Sequence, residues 1–254
     1  MNRITVNGNR ITNNFNYKIT NNKINIKNIE ELEIIYNQAT IKLEINIYSN
    51  CKIFEYIDNS NIDNIYNLNS DLIINRFSLN STIKTIINMN KENSDLKYFY
   101  GTINIDDNNY TIDINHNNKN TKSYILNHGI NYKSSKLDFL INGNIPKYSD
   151  GAETTQDSKI MLIENNNCSI KPNLLVDNDD ISANHASYIG SFDENKLFYL
   201  ASRGINHQQS IRILVKAFLL GNTNLNFLQR EMIINIINEY WRWLYESWRF
   251  WNVK

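Results

Sequence analysis

Apolar and polar residues alternate with a period of two over much of residues 4–145. Ile41 and Leu43, for example, alternate with Lys42 and Glu44. This alternation places every second side chain on one face and is typical of a half-buried β-strand. Further runs of this kind occupy residues 23–29, 97–105, 110–114 and 136–145. Many short strands at near-regular spacing predict a sandwich, a barrel or a β-solenoid.

Residues 80–89 fit a strand or a helical turn by pattern, and their β-branched residues favour a strand. The segments between the predicted strands are rich in Asn and Asp. These residues tolerate the left-handed backbone region where Gly is scarce, so we interpret the segments as turns.

The period changes after Gly204. Ile211, Leu214 and Phe218 recur at helical spacing, and Gly221 is a typical residue just past a helix end. A second helix is predicted over residues 225–250. The chain is therefore expected to end in a two-helix unit.

The final helix contains all four tryptophans of the chain, interleaved with arginines. They are Trp241, Trp243, Trp248 and Trp251. Trp and Arg are enriched at binding hot spots, so a docking surface is one interpretation, and packing of the aromatic side chains within the protein is the other.

The composition is unusual in its 48 Asn and 40 Ile residues, beside 8 Gly and 2 Pro. An AT-rich genome would favour Asn, Ile, Lys and Tyr, and we favour this explanation. Stacked solenoid turns that align Asn side chains into hydrogen-bonded ladders are the alternative.

Lys and Arg together number 26, as do Asp and Glu, so the formal net charge is zero. A zero charge disfavours nucleic acid or an anionic membrane as partner. No apolar run approaches the roughly 18 residues of a membrane span, and no targeting segment is recognised. We expect a folded protein of the cytoplasm, or of the plastid stroma if the gene is organellar.

Metal, nucleotide and nucleophile motifs are absent from the sequence. Cys51 and Cys168 are too few for a disulfide framework and lack zinc-site spacing. No Walker A, GxSxG, HExxH or GxGxxG pattern occurs, so this chain is expected to bind no nucleotide and to have no catalytic residues. His116, His128 and His207 have no partner at metal or triad spacing and are expected at the surface.

Several motifs follow one another between residues 141 and 218. They are Asn142-Gly143-Asn144-Ile145, Gln156, Met161-Leu162-Ile163, Lys171-Pro172-Asn173-Leu174, Asp179-Asp180-Ile181-Ser182-Ala183-Asn184-His185-Ala186-Ser187-Tyr188-Ile189-Gly190 and Leu197-Phe198-Tyr199-Leu200-Ala201-Ser202-Arg203-Gly204-Ile205. In this order they resemble the core of the SufB/SufD family of iron–sulfur cluster assembly scaffolds, and the resemblance is closer to SufD.

The resemblance implies a mainly β fold, a short right-handed parallel β-helix followed by a small helical domain. The expected divisions are a strand and cap region at 1–30, the β-helix core at 31–205 and a helical domain at 206–254. Members of the family are longer and begin with a helical domain, so residues 1–30 are expected to cap the first coil.

The resemblance also implies a scaffold subunit that pairs with a SufB-type subunit, or with a second copy of itself. A SufC-type ATPase would dock on the helical domain. The residues expected to contact partners are Arg203, Ile211, Leu214, Phe218 and Trp243. A transient iron–sulfur cluster, or iron, would lie at the subunit interface.

His185 is the expected iron ligand, because the SufD type carries a His in this motif where the SufB type has a carboxylate. The sulfur-accepting Cys of the SufB type would fall near Asn166, two residues from Cys168. A SufB-like subunit that holds sulfur on Cys168 and acts with the ATPase alone is therefore the first alternative. The distant alternative is a β-helix acting on polysaccharide, which the adjacent Asp179 and Asp180 fit poorly because they point to opposite strand faces.

Overall fold

The computed structural model describes residues 2–15, 19–132, 135–163 and 167–251, without the side chains of 243–251. The described residues form sixteen β-strands in two sheets, followed by three helices. The first sheet has the order β16 (Ile181–Gly190), β14 (Ala152–Ile163), β12 (Lys122–Tyr132), β10 (Asp95–Asn104), β8 (Leu72–Leu79), β6 (Cys51–Asp58), β4 (Glu31–Asn37), β1 (Asn2–Asn7) and β2 (Arg10–Asn13). The second has the order β15 (Asn167–Val176), β13 (Lys136–Ile145), β11 (Asn108–His116), β9 (Thr82–Met89), β7 (Asn61–Leu68), β5 (Thr40–Ile47) and β3 (Lys23–Ile26).

From β2 onward, successive strands alternate between the two sheets. From β3 onward each strand pairs in parallel with the strand two places along the chain, as β5 does with β7 and β6 with β8. The chain therefore winds through one sheet and then the other, coil upon coil, in a parallel β-helix arrangement. The predicted fold class is confirmed. The strand prediction for residues 80–89 is confirmed as well, since β9 occupies them.

The first coils stack with a repeat of 21 residues. Ile24, Ile45, Tyr66 and Ile87 stand in register on β3, β5, β7 and β9, and all four are fully buried. Because strand side chains alternate between faces, every second side chain of each strand points into the space between the sheets. The stacked apolar rows form one continuous core.

The turns between strands use asparagine in the left-handed conformation. Apart from Gln38, every described non-glycine residue with positive φ is an asparagine, and these are Asn21, Asn22, Asn28, Asn59, Asn80, Asn93 and Asn120. Asparagine reaches this region at lower cost than most residues. The prediction that Asn replaces Gly in the turns is confirmed.

A ladder of asparagines follows the outer face of the second sheet. Asn25, Asn46, Asn67, Asn88 and Asn115 are joined by amide hydrogen bonds of 2.8–2.9 Å from Nδ2 of one residue to Oδ1 of the residue before. A longer bond of 3.4 Å continues the ladder to Asn144. The ladder explanation, which we did not favour from composition, therefore holds for this column.

A buried ion pair lies in the interior between the sheets. Arg76 Nη2 is 2.5 Å from Glu55 Oε2, and both side chains are completely buried. Tyr66 OH donates to Glu55 Oε1 at 2.6 Å, and Asn64 Nδ2 is 3.3 Å from the same oxygen. Arg76 Nη1 donates to Thr85 Oγ1 at 2.6 Å. Removing either charge would leave the other unpaired in a low-dielectric interior.

The chain divides into two compact units, residues 1–190 and 191–254. The second unit contains α1 (Glu194–Ser202), α2 (His207–Leu220) and α3 (Phe227–Trp251). We expected two helices and a boundary at 205/206. Helix α1 was not predicted, because it lies before Gly204, where the change of period was placed, and its nine residues bury no side chain. None of the described helices has a stretch long and apolar enough to cross a membrane.

Candidate functional site

His185 lies in the middle of β16, the edge strand of the first sheet. It stands in register with Gln156 on β14, and its side chain is exposed. Among the described strands, none pairs with the other edge of β16. The imidazole is therefore open to solvent on a strand whose free edge offers unpaired backbone groups.

The exposure of His185 comes from its position in the last coil. Its neighbours on β14, Thr154 and Gln156, point into the interior and are buried. The matching row of β16 includes Ala183 and His185, which point the same way by register but are not buried. No further described coil covers this row. A position that is buried in each coil from β4 to β14 thus becomes surface here.

Gln156, beside His185, is a buried amide without a hydrogen-bond partner among the described residues. A Cβ on Gly143 of the opposite sheet would lie 2.7 Å from its Nε2 atom. Glycine at 143 therefore makes room for an amide that spans the interior immediately behind the last coil. The alternation pattern around Gln156 did not predict that its amide is buried against Gly143.

Cys168 is the second residue of β15, the edge strand of the other sheet. It stands in register with Leu137 and is half-buried against the core. Asn131 Nδ2 donates a hydrogen bond to its Sγ at 3.1 Å. Burial raises the pKa of the thiol above its usual value of 9.0, which favours the protonated form at neutral pH. Asn166, the expected cysteine position, lies outside the described residues.

His185 and Cys168 are carried by different sheets, and the described residues hold no group of three His, Cys, Asp or Glu side chains suited to a metal ion. No hydrogen bond joins His185 to Asp179 or Asp180 in the described structure. Asp180 N instead donates to Asn178 Oδ1 at 2.8 Å. The described part of the last coil therefore presents one histidine, and a cluster would need ligands from elsewhere.

The expected partner-contact residues have mixed environments. Arg203, just after α1, is exposed, and its guanidinium lies 5.4 Å from the ring centroid of Tyr199. Ile211, Leu214 and Phe218 on α2 are each half-buried, so part of their surface is used within the helical unit. Trp243 lies on α3, but its side chain is outside the described residues.

Exposed apolar side chains that the sequence analysis did not single out lie in the same unit. Phe198 and Tyr199 on α1 are 76% and 57% exposed, and Phe227 and Leu228 at the start of α3 are each 74% exposed. Their signal in the sequence was the Phe-Tyr pair of α1 and the apolar pair that opens α3. Each pair places two large apolar side chains at adjacent exposed positions, and exposed apolar surface of this kind is a feature of contact sites.

Two of the three remaining histidines differ from expectation. His116 and His128 are buried, whereas His207 is exposed as predicted. His116 bonds through its ring nitrogens to Thr121 Oγ1 at 2.7 Å and Ser123 Oγ at 3.0 Å. Burial lowers the pKa of His116 from 6.5 to about 4. The burial of His116 could not be predicted, because hydroxyl partners such as Thr121 and Ser123 form no recognisable sequence motif with it.

Comparison with known proteins agrees with this structure. A family model described as "SUF system FeS cluster assembly, SufBD core domain" matches residues 66–218, more than half of the chain. The chain is 37% identical over 112 residues to the iron–sulfur cluster assembly protein SufD of Bacillus subtilis, which is 44% of this chain and 26% of that protein.

Two further relatives, one SufD and one SufB, allow the chain to be compared with both types of subunit. Identity to the Escherichia coli SufD is 40% over 48 residues, or 19% of this chain and 11% of that protein. Identity to the Bacillus subtilis SufB is 28% over 102 residues, or 39% of this chain and 22% of that protein. The matched segments thus span about a quarter or less of these relatives.

The fold and the site together define a parallel β-helix protein with a helical unit and a histidine exposed on its last coil. The chain belongs to the SufBD family. It is more similar to SufD than to SufB of Bacillus subtilis.

Proposed function

We propose that the chain is a SufD-like scaffold subunit in iron–sulfur cluster assembly. In this proposal it pairs with a SufB-type subunit through its last coil and binds a SufC-type ATPase through its helical unit. The observation that carries the proposal is His185, an inward-row residue left exposed on an open edge strand. Family membership and the higher identity to SufD support it.

The chemistry proposed for His185 is ligand exchange on the cargo, the nascent cluster or its iron. Neutral imidazole is a good ligand for iron, and thiolates are the usual ligands of iron–sulfur clusters. One histidine cannot hold a cluster, so a partner must supply thiolates. The free edge of β16 supports this arrangement, because an exposed edge can add a strand from another chain.

Cys168 is less suited to receive sulfur, which disfavours the SufB-like alternative. Nucleophilic attack needs the thiolate, and burial keeps the pKa of this thiol above its usual value. Asn131 already donates to the sulfur. Within the proposal, Cys168 packs the last coil and the sulfur-bearing cysteine belongs to the partner.

The helical unit supports the docking part of the proposal. Phe198 and Tyr199 present apolar surface on α1, and Arg203 adds a cation stacked on Tyr199. Aromatic and Arg side chains dominate binding hot spots. ATP hydrolysis would be supplied by the docked ATPase, and the helical unit would transmit its motion to the subunit interface.

The test is co-purification with the SufB-type and SufC-type chains of the same genome, followed by anaerobic reconstitution with iron and sulfide. We expect wild type to yield a complex with cluster absorbance. His185→Ala should leave the complex intact and lose most of the absorbance. Asn184→Ala is the matched control, since it removes a neighbouring exposed side chain on the opposite strand face.

Three outcomes would count against the proposal. If the complex has equal cluster absorbance with wild type and with His185→Ala, the chain would be a structural adaptor and His185 would not be an iron ligand. Loss of absorbance in Cys168→Ser, with His185→Ala unaffected, would favour the SufB-like alternative. Failure to form any complex would contradict the partner assignments.

A further inference from the structure

A cleft between α2 and α3 is lined by three cations. Its volume is about 530 Å³, and Arg212 and Lys216 of α2 face Arg242 of α3 across it. The remaining lining residues are neutral: Asn206, Gln208, Gln209, Asn238 and Trp241. The cleft lies wholly within the helical unit. Among the described residues that line the cleft none is acidic, so the described lining has a net positive charge.

The three cations have no ion-pair partner within 4.0 Å in the described structure. Arg212 and Lys216 are four residues apart on one helix face, where like charges destabilise each other. Consistently, burial and the Arg212 charge lower the pKa of Lys216, while Glu231 alone among the named groups opposes this. A bound anion would relieve this repulsion.

The arrangement of the charges selects the kind of anion. Donors stand on both walls of the cleft, so a ligand with oxygens directed to several sides can bind both helices at once. A tetrahedral phosphate has this geometry, whereas a planar carboxylate presents two oxygens in one plane. Guanidinium groups bind phosphate through paired hydrogen bonds. The volume also exceeds that of one phosphate, and the aromatic residue Trp241 is among the lining residues.

We propose that this cleft binds a small organic phosphate, with the phosphate between Arg212, Lys216 and Arg242 and a planar group against Trp241. The lining residues of the cleft include neither His185 nor the exposed apolar residues of α1. It does not depend on the proposed role in cluster assembly, and it needs no phosphate loop.

The test is calorimetric titration of the full chain with phenyl phosphate, methyl phosphate and benzoate at constant ionic strength. We expect phenyl phosphate to bind more tightly than methyl phosphate, and also more tightly than benzoate, which has the same ring but a single planar carboxylate. Added salt should weaken the binding, since the contacts are between charges. Arg212→Gln/Lys216→Gln should weaken phenyl phosphate binding by at least about tenfold.

Lys196→Gln provides the matched control, because it removes one exposed cation of α1 outside the cleft. It should change the affinity by less than about twofold. Arg242→Lys, which keeps the charge, should retain most of the binding that Arg242→Gln loses. Binding of benzoate as tight as that of phenyl phosphate would overturn the phosphate assignment. Equal weakening in Lys196→Gln, or no binding to wild type, would overturn the site.

Discussion

The interior coils and the last coil of the β-helix share one pattern but have different environments. Gln156 on β14 and His185 on β16 are neighbours in register on the same inward row. Gln156 is 1% exposed, whereas His185 is open to solvent. Stacking makes the first a core residue, and the end of the stack makes the second a surface residue. The proposed iron ligand therefore lies where the repetition stops.

The largest expected effect of a substitution is in the interior. Arg76→Met should destabilise the protein by about 3–5 kcal/mol, because it leaves Glu55 charged and unpaired in the core. Urea unfolding followed by circular dichroism measures this. His185→Ala should change stability by less than about 0.5 kcal/mol, as expected for a surface position.

The double variant Glu55→Met/Arg76→Met tests whether the unpaired charge is what destabilises the interior of Arg76→Met. Replacing both charges leaves no unpaired ion, so much of the lost stability should return. A double variant as unstable as Arg76→Met alone would mean that the tyrosine and Asn64 contacts, and not the ion pair, dominate this part of the core.

The next largest effect is a pH dependence from His116. Its pKa is 6.5 when free and about 4 in the folded protein, so between these values the unfolded chain binds more protons. Stability therefore falls as pH decreases from 6.5 towards 4. The full loss is about 3 kcal/mol, at 1.36 kcal/mol for each pKa unit. His116→Gln should flatten this part of the profile measured by urea unfolding.

The profile above pH 6.5 is the internal control, since the ring is neutral there in both states. Wild type and His116→Gln should have parallel profiles in that range. An equal fall in stability between pH 6.5 and 4 for both proteins would mean that carboxylates, and not His116, cause the acid sensitivity.

A smaller effect is expected in the asparagine ladder. Asn67→Ala removes bonds of 2.8 Å to both Asn46 and Asn88 and one of 3.1 Å to Glu44. It should cost about 2 kcal/mol in the free energy of unfolding, at about 0.5–1.5 kcal/mol for each bond. Asn144→Ala removes only the 3.4 Å bond at the ladder end and should cost about 0.5 kcal/mol. Equal losses of unfolding free energy in the two variants would show that the bonds inside the ladder stabilise the protein no more than the long bond at its end.

Much of the β-helix could be predicted from the sequence, because each strand shows its buried face by alternation. The solenoid repeat was also present in the chain, since Asn25, Asn46 and Asn67 recur every 21 residues. Codon bias obscured this signal, because it predicts the same abundance of asparagine without the spacing.

The features that could not be predicted depend on tertiary position. Helix α1 has nine residues and buries none of them, so it is shorter than the window over which helical periodicity is recognised. The burial of His116 follows from hydroxyl partners in its turn. The exposure of His185 cannot be read from β16 alone, because the same alternation is buried one coil earlier.

Hydrogen–deuterium exchange of β16 tests most directly whether the last coil is completed by a partner. Backbone amides of residues 181–190 would be compared in the chain alone and in the complex with a SufB-type subunit, with β8 as an internal reference already paired on both edges. We predict slow exchange in β8 throughout and a marked slowing in β16 on complex formation. Exchange in β16 that is unchanged in a complex that has formed would contradict this interface.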